Sequence, residues 1–321
     1  MYDIIGDIHG HAHKLEELLG KMGYIMESGH YQHRDGTRRA VFVGDFIDRG
    51  PAIRRTLEIV QGMVQAGTAL AVMGNHEFNA IAYHTPAASE NEWLRPHTEK
   101  NIEQHEESLT QLGGSKGIHP WLAWFRELPF SLDLGDLRVV HACWDPWAIP
   151  FLEQAQKRHG GVTTDFMVES LRKSEPGCRD LYWALEWSLK GKELHLPPGC
   201  TFPDKSNRTR DAVRARWFAR PLGANYFDYT FPEPKAGLGL NIPVSATALA
   251  QVNLGNTDGS FYPSEDPPVF FGHYWLPCPP SPGLQTSNVV CLDYSVAIDG
   301  CLCAYRWDIE TPLSQGSFVT V

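Results

Sequence analysis

"YDIIGDIHGH", residues 2–11, decides how this chain folds. A short apolar run, Tyr2 to Gly6, reads as a buried strand and breaks at once into Asp7, Ile8, His9, Gly10 and His11. The same grammar returns twice. "AVFVGD" (40–45) and "ALAVMGN" (69–75) are apolar runs that also end in glycine and a polar side chain. Between the first two, His11 to Met22 places Leu15, Leu18, Leu19 and Met22 on one helical face. After the second, Pro51 stands where a helix would start, and Ile53, Leu57, Ile59, Val60 and Val64 follow at helical spacing. A third helix begins near His76. Strand, helix, strand, helix, strand predicts right-handed crossovers and an α/β fold built on a mainly parallel sheet.

Further along, residues 84–115 are polar and charged, with a helix predicted over 99–112. A helix over 119–127 and two strands, "FSLDL" and "LRVVHA", return to the core pattern. From 145 to 268 the chain is rich in Pro, Gly, Trp and Arg, and its periodicity is weak. "PVFFGHYW" (268–275) is a buried strand, and "NVVCLDYS" and "CLCAYRWD" flank a turn at Asp299-Gly300, a hairpin signal. The expected organisation is one domain over 1–321, with a lid or cap insertion at 84–115 and a divergent, substrate-shaping segment at 145–268.

With 42% apolar and 21% charged residues in 321, the chain can bury a substantial core. Its formal net charge of −10 argues against a broad surface for nucleic-acid polymers or anionic membranes, which need basic footprints. Part of that excess is expected to be carboxylates that await cations. No run approaches the ~20 apolar residues of a membrane span, and the opening residues show no signal-peptide pattern. Seven scattered cysteines predict no disulfide framework, and a reducing cytoplasm is the expected compartment. Cys301 and Cys303 are expected to face one way along a strand as packing groups.

In open α/β sheets, ligands gather outside the carboxyl ends of strands. Asp7, His9, Asp45, Asp48, Asn75, His76, His141 and His273 all follow apolar runs, so they can converge although they span most of the chain. Oxygen and nitrogen donors without a thiolate suit manganese, iron or zinc. A shared carboxylate can bridge two cations roughly 3.5–4 Å apart. One Asp-x-His after a strand is usually an ordinary turn, and one buried histidine such as His141 is usually a satisfied core residue. Three ordered motifs at strand ends, followed by two isolated histidines, form a different kind of signal.

"GDIHG" (6–10), "GDFIDRG" (44–50) and "GNHE" (74–77) resemble the calcineurin-like metallophosphoesterase superfamily, in its protein-phosphatase-like branch, which includes the symmetrical dinucleoside tetraphosphate hydrolases. The resemblance implies two packed β-sheets flanked by helices, an αββα sandwich with a dinuclear site at one edge. It implies Asp7 and His9 on one metal, Asp45 bridging, and Asn75, His141 and His273 on the other. Manganese is the first expectation, with iron or zinc compatible. A water or hydroxide between the ions would attack phosphorus directly. His76, oriented by Asp48, would be the general acid. Arg49 and Asn75 would bind the phosphoryl oxygens. A second phosphate-binding arginine is expected within "DKSNRTRDAVRARWFAR" (204–220), at Arg214 or Arg216. Glu77 is expected to cap its helix.

The chain departs from both subgroups. Met73 precedes GNHE where the protein phosphatases have Arg, and His141-Ala142-Cys143 replaces His-Gly-Gly. Asp48 and Glu77 depart from the tetraphosphate hydrolases, as does Leu292-Asp293-Tyr294-Ser295. The expected activity is hydrolysis of phosphomonoesters, including phosphoserine, phosphothreonine or phosphotyrosine in proteins. The alternative is an Ap4A-type or other nucleotide-polyphosphate hydrolase on the same site. A non-catalytic metal-binding scaffold is the alternative from another class. The partners implied are a phosphorylated protein or a small phosphate ester or nucleotide; oligomeric state is left open.

Overall fold

Side chains alternate across each strand of the first sheet, and that alternation assigns them to two different cores. The computed structural model describes residues 1–88, 92–176, 178–203, 209–221, 223–234, 238–252, 261–278, 282–309 and 312–321. Its elements begin β1 (Tyr2–Ile5), α1 (Ala12–Lys21), β2 (Tyr24–Glu27), β3 (His30–His33), β4 (Arg39–Phe42), α2 (Ile53–Gln65), β5 (Ala69–Ala71) and α3 (Asn75–Tyr83). Then follow α4 (Glu99–Leu112), α5 (Gly114–Gly117), α6 (His119–Phe125), β6 (Ser131–Asp133), β7 (Arg138–Val140), α7 (Ala148–His159), α8 (Thr164–Ser170) and α9 (Leu181–Lys190). The last part holds β8 (Glu193–His195), β9 (Phe202–Pro203), β10 (Thr209–Arg210), β11 (Ala212–Arg214), α10 (Ala246–Val252), β12 (Val269–Phe271), β13 (Val289–Cys291), β14 (Asp293–Tyr294), β15 (Cys301–Trp307) and β16 (Phe318–Thr320).

β1, β4 and β5 are parallel neighbours, as the strand–helix alternation predicts. On the other side of β1 the chain's late strand β15 pairs antiparallel, followed by β14, with β16 also on β15. A second sheet runs β13-β12-β7-β6. Ile4, Val41, Cys303 and Tyr305 point from the first sheet toward the second, into a core shared with Val139, Phe270 and Val290. Ile5, Ala40, Phe42, Leu302 and Ala304 point the other way, into a layer that contains α1, α2, α3 and α6. The fold is therefore a mixed α/β sandwich of two packed sheets with helices alongside. Beyond the second sheet, Phe271 packs against Trp217, Phe218 and Phe231, so aromatic side chains of an irregular segment cover that face.

The described residues of the 145–268 stretch divide among three cores. α7, α8 and α9 join the helical layer through Leu152, Phe166 and Trp187. Trp217, Phe218, Phe231 and Tyr262 pack with the second sheet, while Leu194, Val213, Tyr226, Tyr229 and Leu249 form a small core of their own. The β2–β3 hairpin is absent from the sequence expectations; Ser28 and Gly29, both at positive φ (52° and 88°), make its two-residue turn. The stretch 288–295 splits between sheets. Val289–Cys291 belongs to the second sheet, while Asp293–Tyr294 makes the predicted hairpin with β15.

The cysteine expectation is corrected at one pair: Cys278 and Cys301 form a disulfide, Cα atoms 6.0 Å apart. Leu276 donates its N–H to Asp293 O, beside the β14–β15 hairpin, and this brings the 276–278 loop to the start of β15. Cys303 faces the inter-sheet core as expected. Among the described residues, no helix is long and apolar enough to cross a membrane.

Candidate metal centre

The carboxyl ends of both sheets meet at one edge. Asp7 and His9 follow β1, Asp45 follows β4, and Asn75 opens α3 after β5. His141 follows β7 and His273 follows β12, from the second sheet. All six are buried. Several of these turns are in a backbone region that side chains other than glycine rarely adopt: φ is 44° at His9, 54° at Asp45, 67° at Asp48, 71° at Arg49 and 71° at His273. Strain concentrated in this way is characteristic of sites whose geometry is set by function. Two glycines are required by close approach rather than by a sharp turn. A Cβ on Gly272 would lie 1.9 Å from Asp7 Oδ1, and one on Gly74 would lie 2.3 Å from Asp45 Oδ1.

Backbone carbonyls aim the imidazoles. His9 Nδ1 bonds Ile47 O at 3.0 Å and His141 Nδ1 bonds Val43 O at 2.7 Å, so both turn Nε2 into the centre. Orientation of a ligating histidine through its second nitrogen is the usual support of a metal site. His141 Nε2 lies 3.1 Å from Asn75 Oδ1 and 3.4 Å from Asp45 Oδ1; His9 Nε2 lies 3.6 Å from Asp45 Oδ2. Two triads have ligand atoms all within 4.8 Å of one another: His9, Asp45 and His76, and Asp45, His141 and His273. Asp45 belongs to both. Asp7, expected in the first, lies outside it, because its Oδ2 accepts the His273 N–H at 3.0 Å. His76 lies inside it, because the Arg49 guanidinium bridges His9 Nε2 (2.8 Å) and His76 Nε2 (3.2 Å).

The residues fit divalent cations. Asp7 Oδ1 and His273 Nε2 are buried without a hydrogen-bond partner, which is costly unless something else satisfies them. Burial, then Asp293, raises the Asp7 carboxyl well above its ordinary range. Burial, reinforced by Arg49 at His9 and by Arg214 at His273, lowers both imidazoles well below theirs, which leaves them neutral as ligation requires. Burial opposes the Asp45 anion, yet the imidazoles of His141 and His76 outweigh it and hold the carboxyl well below its usual range. Burial likewise opposes a charged His141, but Asp45 and then Asp7 push it up to about 10. Without cations, a proton on His141 therefore balances the carboxylates, and His141 would have to lose it to hold a cation.

Asp48 receives three side-chain donors. His76 Nδ1 lies 2.5 Å from its Oδ2, His105 Nδ1 lies 2.9 Å from its Oδ1, and the Ser108 hydroxyl donates to Oδ1. Sequence reasoning finds the His76–Asp48 pair and misses His105 and Ser108. Their only signal is their three-residue spacing on one buried face of α4, inside the polar 84–115 segment. Arg49 stacks on Trp275, its guanidinium carbon 4.1 Å from the ring centroid. Asp293 supports that loop by accepting the Trp275 N–H at 2.7 Å. Of the two arginines expected, Arg214 reaches the centre, with NH1 3.3 Å from His273 O; Arg216 turns instead to Thr230 O at 3.4 Å. Lys205 and Arg208 lie outside the described residues.

Glu77 does more than cap. Its Oε2 accepts the N–H groups of Gly74 (3.0 Å) and Asp45 (2.9 Å), and Oε1 accepts that of Phe46 (2.8 Å). Burial, then Asp45, pushes its pKa up to about 8. Glu77→Gln, with its amide oxygen at the Oε2 position, leaves the Phe46 N–H without its acceptor, so urea denaturation of the variant is expected to show a loss of roughly 1–3 kcal/mol. The folded-state pKa lies above the ordinary 4.5, so in metal-free protein this group's contribution is lost as pH rises through about 8. The variant is expected to flatten that decline.

A model of the calcineurin-like phosphoesterase family matches residues 2–170. The chain belongs to that family. Among its relatives, the asymmetrical bis(5'-nucleosyl)-tetraphosphatase PrpE of Oceanobacillus iheyensis is 32% identical over 263 residues, which cover 79% of this chain and 98% of that protein. The PrpE of Halalkalibacterium halodurans is 48% identical over 75 residues, 23% of this chain and 30% of its own length. Among solved structures, a cold-active protein-tyrosine phosphatase of a psychrophilic Shewanella species aligns over 99% of this chain and 79% of its own, at 16% identity and a TM-score of 0.44. This calcineurin-like phosphoesterase is thus a hydrolase of phosphoester or phosphoanhydride bonds whose family implies divalent metal ions.

Proposed function

We propose that this phosphoesterase hydrolyses nucleotide polyphosphates by direct displacement at a dinuclear centre. The observation that carries the reading is Asp45, common to two buried triads that draw histidines from both sheets. The tetraphosphatase relative, matched over nearly its whole length, favours an anhydride substrate over the phosphomonoesters that the motifs alone put first. Asp7, His9 and Asp45 would hold one cation, and Asp45, Asn75, His141 and His273 the other. When bound, the cations supply Lewis acidity and a water of near-neutral pKa. His76, fixed through Nδ1 by Asp48, presents Nε2 to the leaving oxygen and delivers a proton there. Arg49, flattened on Trp275, offers its planar fork to the phosphoryl oxygens beside Asn75, and Arg214 adds positive charge from the His273 side.

The test is protein stripped of metal and reloaded with Mn²⁺, assayed on diadenosine tetraphosphate, a phosphopeptide and p-nitrophenyl phosphate. Expected is metal-dependent turnover of the tetraphosphate with kcat/KM on the order of 100-fold above the phosphopeptide. A faster phosphopeptide would restore the phosphomonoester reading. No turnover on any of them would leave a binding scaffold.

A further inference from the structure

Polar side chains of α4, spaced by three residues along one face, grip the turn that carries Asp48 and Arg49. Ser108 Oγ accepts the Asp48 N–H at 3.0 Å and donates to Asp48 Oδ1. His105 Nδ1 lies 2.9 Å from the same oxygen and must donate to it, since an ionised carboxylate only accepts. Gln111 accepts the Ile53 N–H at 2.7 Å and donates to Gly50 O at 2.8 Å. The turn needs such support. Asp48 and Arg49 are consecutive residues in the left-handed region, at φ 67° and 71°, and strain of that kind persists only where the surroundings enforce it.

The two oxygens of Asp48 thereby do separate work. Oδ2 meets His76 Nδ1 at 2.5 Å, while Oδ1 takes His105 and Ser108. An aspartate carboxylate turns easily about its last bond. With His76 as its one partner it could swing and carry the imidazole with it; donors on Oδ1 fix its plane. They also sustain its charge. Burial opposes the anion, and the hydrogen bonds from His105 and then His76 outweigh burial and hold the carboxyl well below its usual range. His105 is itself held: its ring centroid lies 5.1 Å from that of Tyr83, and its Nε2 lies 3.3 Å from His84 Nε2. We infer that His105 is a positioning residue of the reaction, which fixes the Asp48 carboxylate so that His76 Nε2 stays aimed at the leaving oxygen. The inference rests on the proposed acid role of His76. His105 gives up no proton in this role. Its bond to Asp48 keeps the aim, and lost aim costs rate where protonation of the leaving group matters.

The experiment uses full-length, Mn²⁺-loaded protein and a series of aryl phosphates from p-nitrophenyl to phenyl phosphate. His105→Phe keeps a ring against Tyr83 and loses both nitrogens. It is expected to lower kcat roughly tenfold more on phenyl phosphate than on the nitrophenyl ester, with KM little moved on either. His105→Asn, whose amide NH₂ can still donate to Oδ1, should regain most of that difference. His105→Ala repeats the test without the ring. In a His76→Asn background, His105→Phe should add no further dependence on the leaving group, because both changes then act through one proton transfer. Gln111→Ala loosens the same helix without touching Asp48. If it reproduces the pattern of His105→Phe, or if His105→Phe slows all esters equally or not at all, the assignment is overturned. If His76→Asn itself shows no dependence on the leaving group, or wild type turns over none of the esters, the acid reading fails and the inference falls with it. A dependence present in His76→Asn and absent from the His105 variants sinks the inference alone.

Discussion

Asp45→Asn is expected to lower metal-dependent turnover by on the order of 10³-fold, and direct metal analysis should find less than the full complement of Mn²⁺. Among the described residues, Asp45 is the side chain common to both ligand-distance triads. Its two oxygens already divide the centre: Oδ1 lies 3.4 Å from His141 Nε2 and Oδ2 lies 3.6 Å from His9 Nε2. Replacement of one carboxylate oxygen by an amide NH₂ would put a donor on one side of the centre, where a cation would need an acceptor, and would remove the negative charge that both would share. Two hydrogen bonds that hold the local backbone survive the change. Oδ1 also accepts the His76 N–H at 3.0 Å, and the Asn oxygen can keep that bond. The Asp45 N–H to Glu77 is untouched by the change. Metal-free, the variant is expected to melt below wild type, because the Asp45 charge no longer offsets the proton on buried His141, and it also loses the stabilisation that Mn²⁺ gives wild type. A variant with normal metal content and near-normal turnover would remove Asp45 from the bridging position.

His76→Asn should show the next largest effect, and its size should depend on the leaving group. A general acid contributes most when the departing oxygen is strongly basic. The loss is expected to be roughly 10³-fold on an alkyl phosphate, and only about tenfold on p-nitrophenyl phosphate, whose leaving group needs little protonation. Polyphosphates should fall between, since a departing phosphate is less basic than an alkoxide. A plot of log kcat/KM against leaving-group pKa would be steeper for the variant than for wild type. Parallel lines would mean that His76 works as a metal ligand, as its place in the first triad also allows, and not as an acid. His76 is buried with Nδ1 committed to Asp48, so only Nε2 is available for either task.

Most of this centre is legible in the sequence because its residues are tied to strand ends. Where β1, β4 and β5 stop, the chain must turn, and Asp7, His9, Asp45 and Asn75 occupy those turns. His141 and His273 are legible for the same reason on the second sheet. His105 and Ser108 are not, because they act from a surface helix whose pattern is polar and whose target, Asp48, is about sixty residues earlier. Asp293 is hidden likewise, since its task is to hold the backbone of Trp275. The choice between Arg214 and Arg216 depends on which way a short strand faces, and weak periodicity over 145–268 leaves that open.

Local sequence alone determined the parallel β1–β4–β5 unit, its crossover helices and the identities of the six metal-site candidates, because buried strands and tight turns impose their requirements within a few residues. Only the tertiary structure decided that Asp7 gives one oxygen to His273, that Cys278 meets Cys301, and that the 84–115 excursion carries His105 and Ser108 to Asp48. These outcomes rest on contacts between segments distant along the chain. Such contacts are set by how two sheets and their helices pack, and no periodicity in a short window records them.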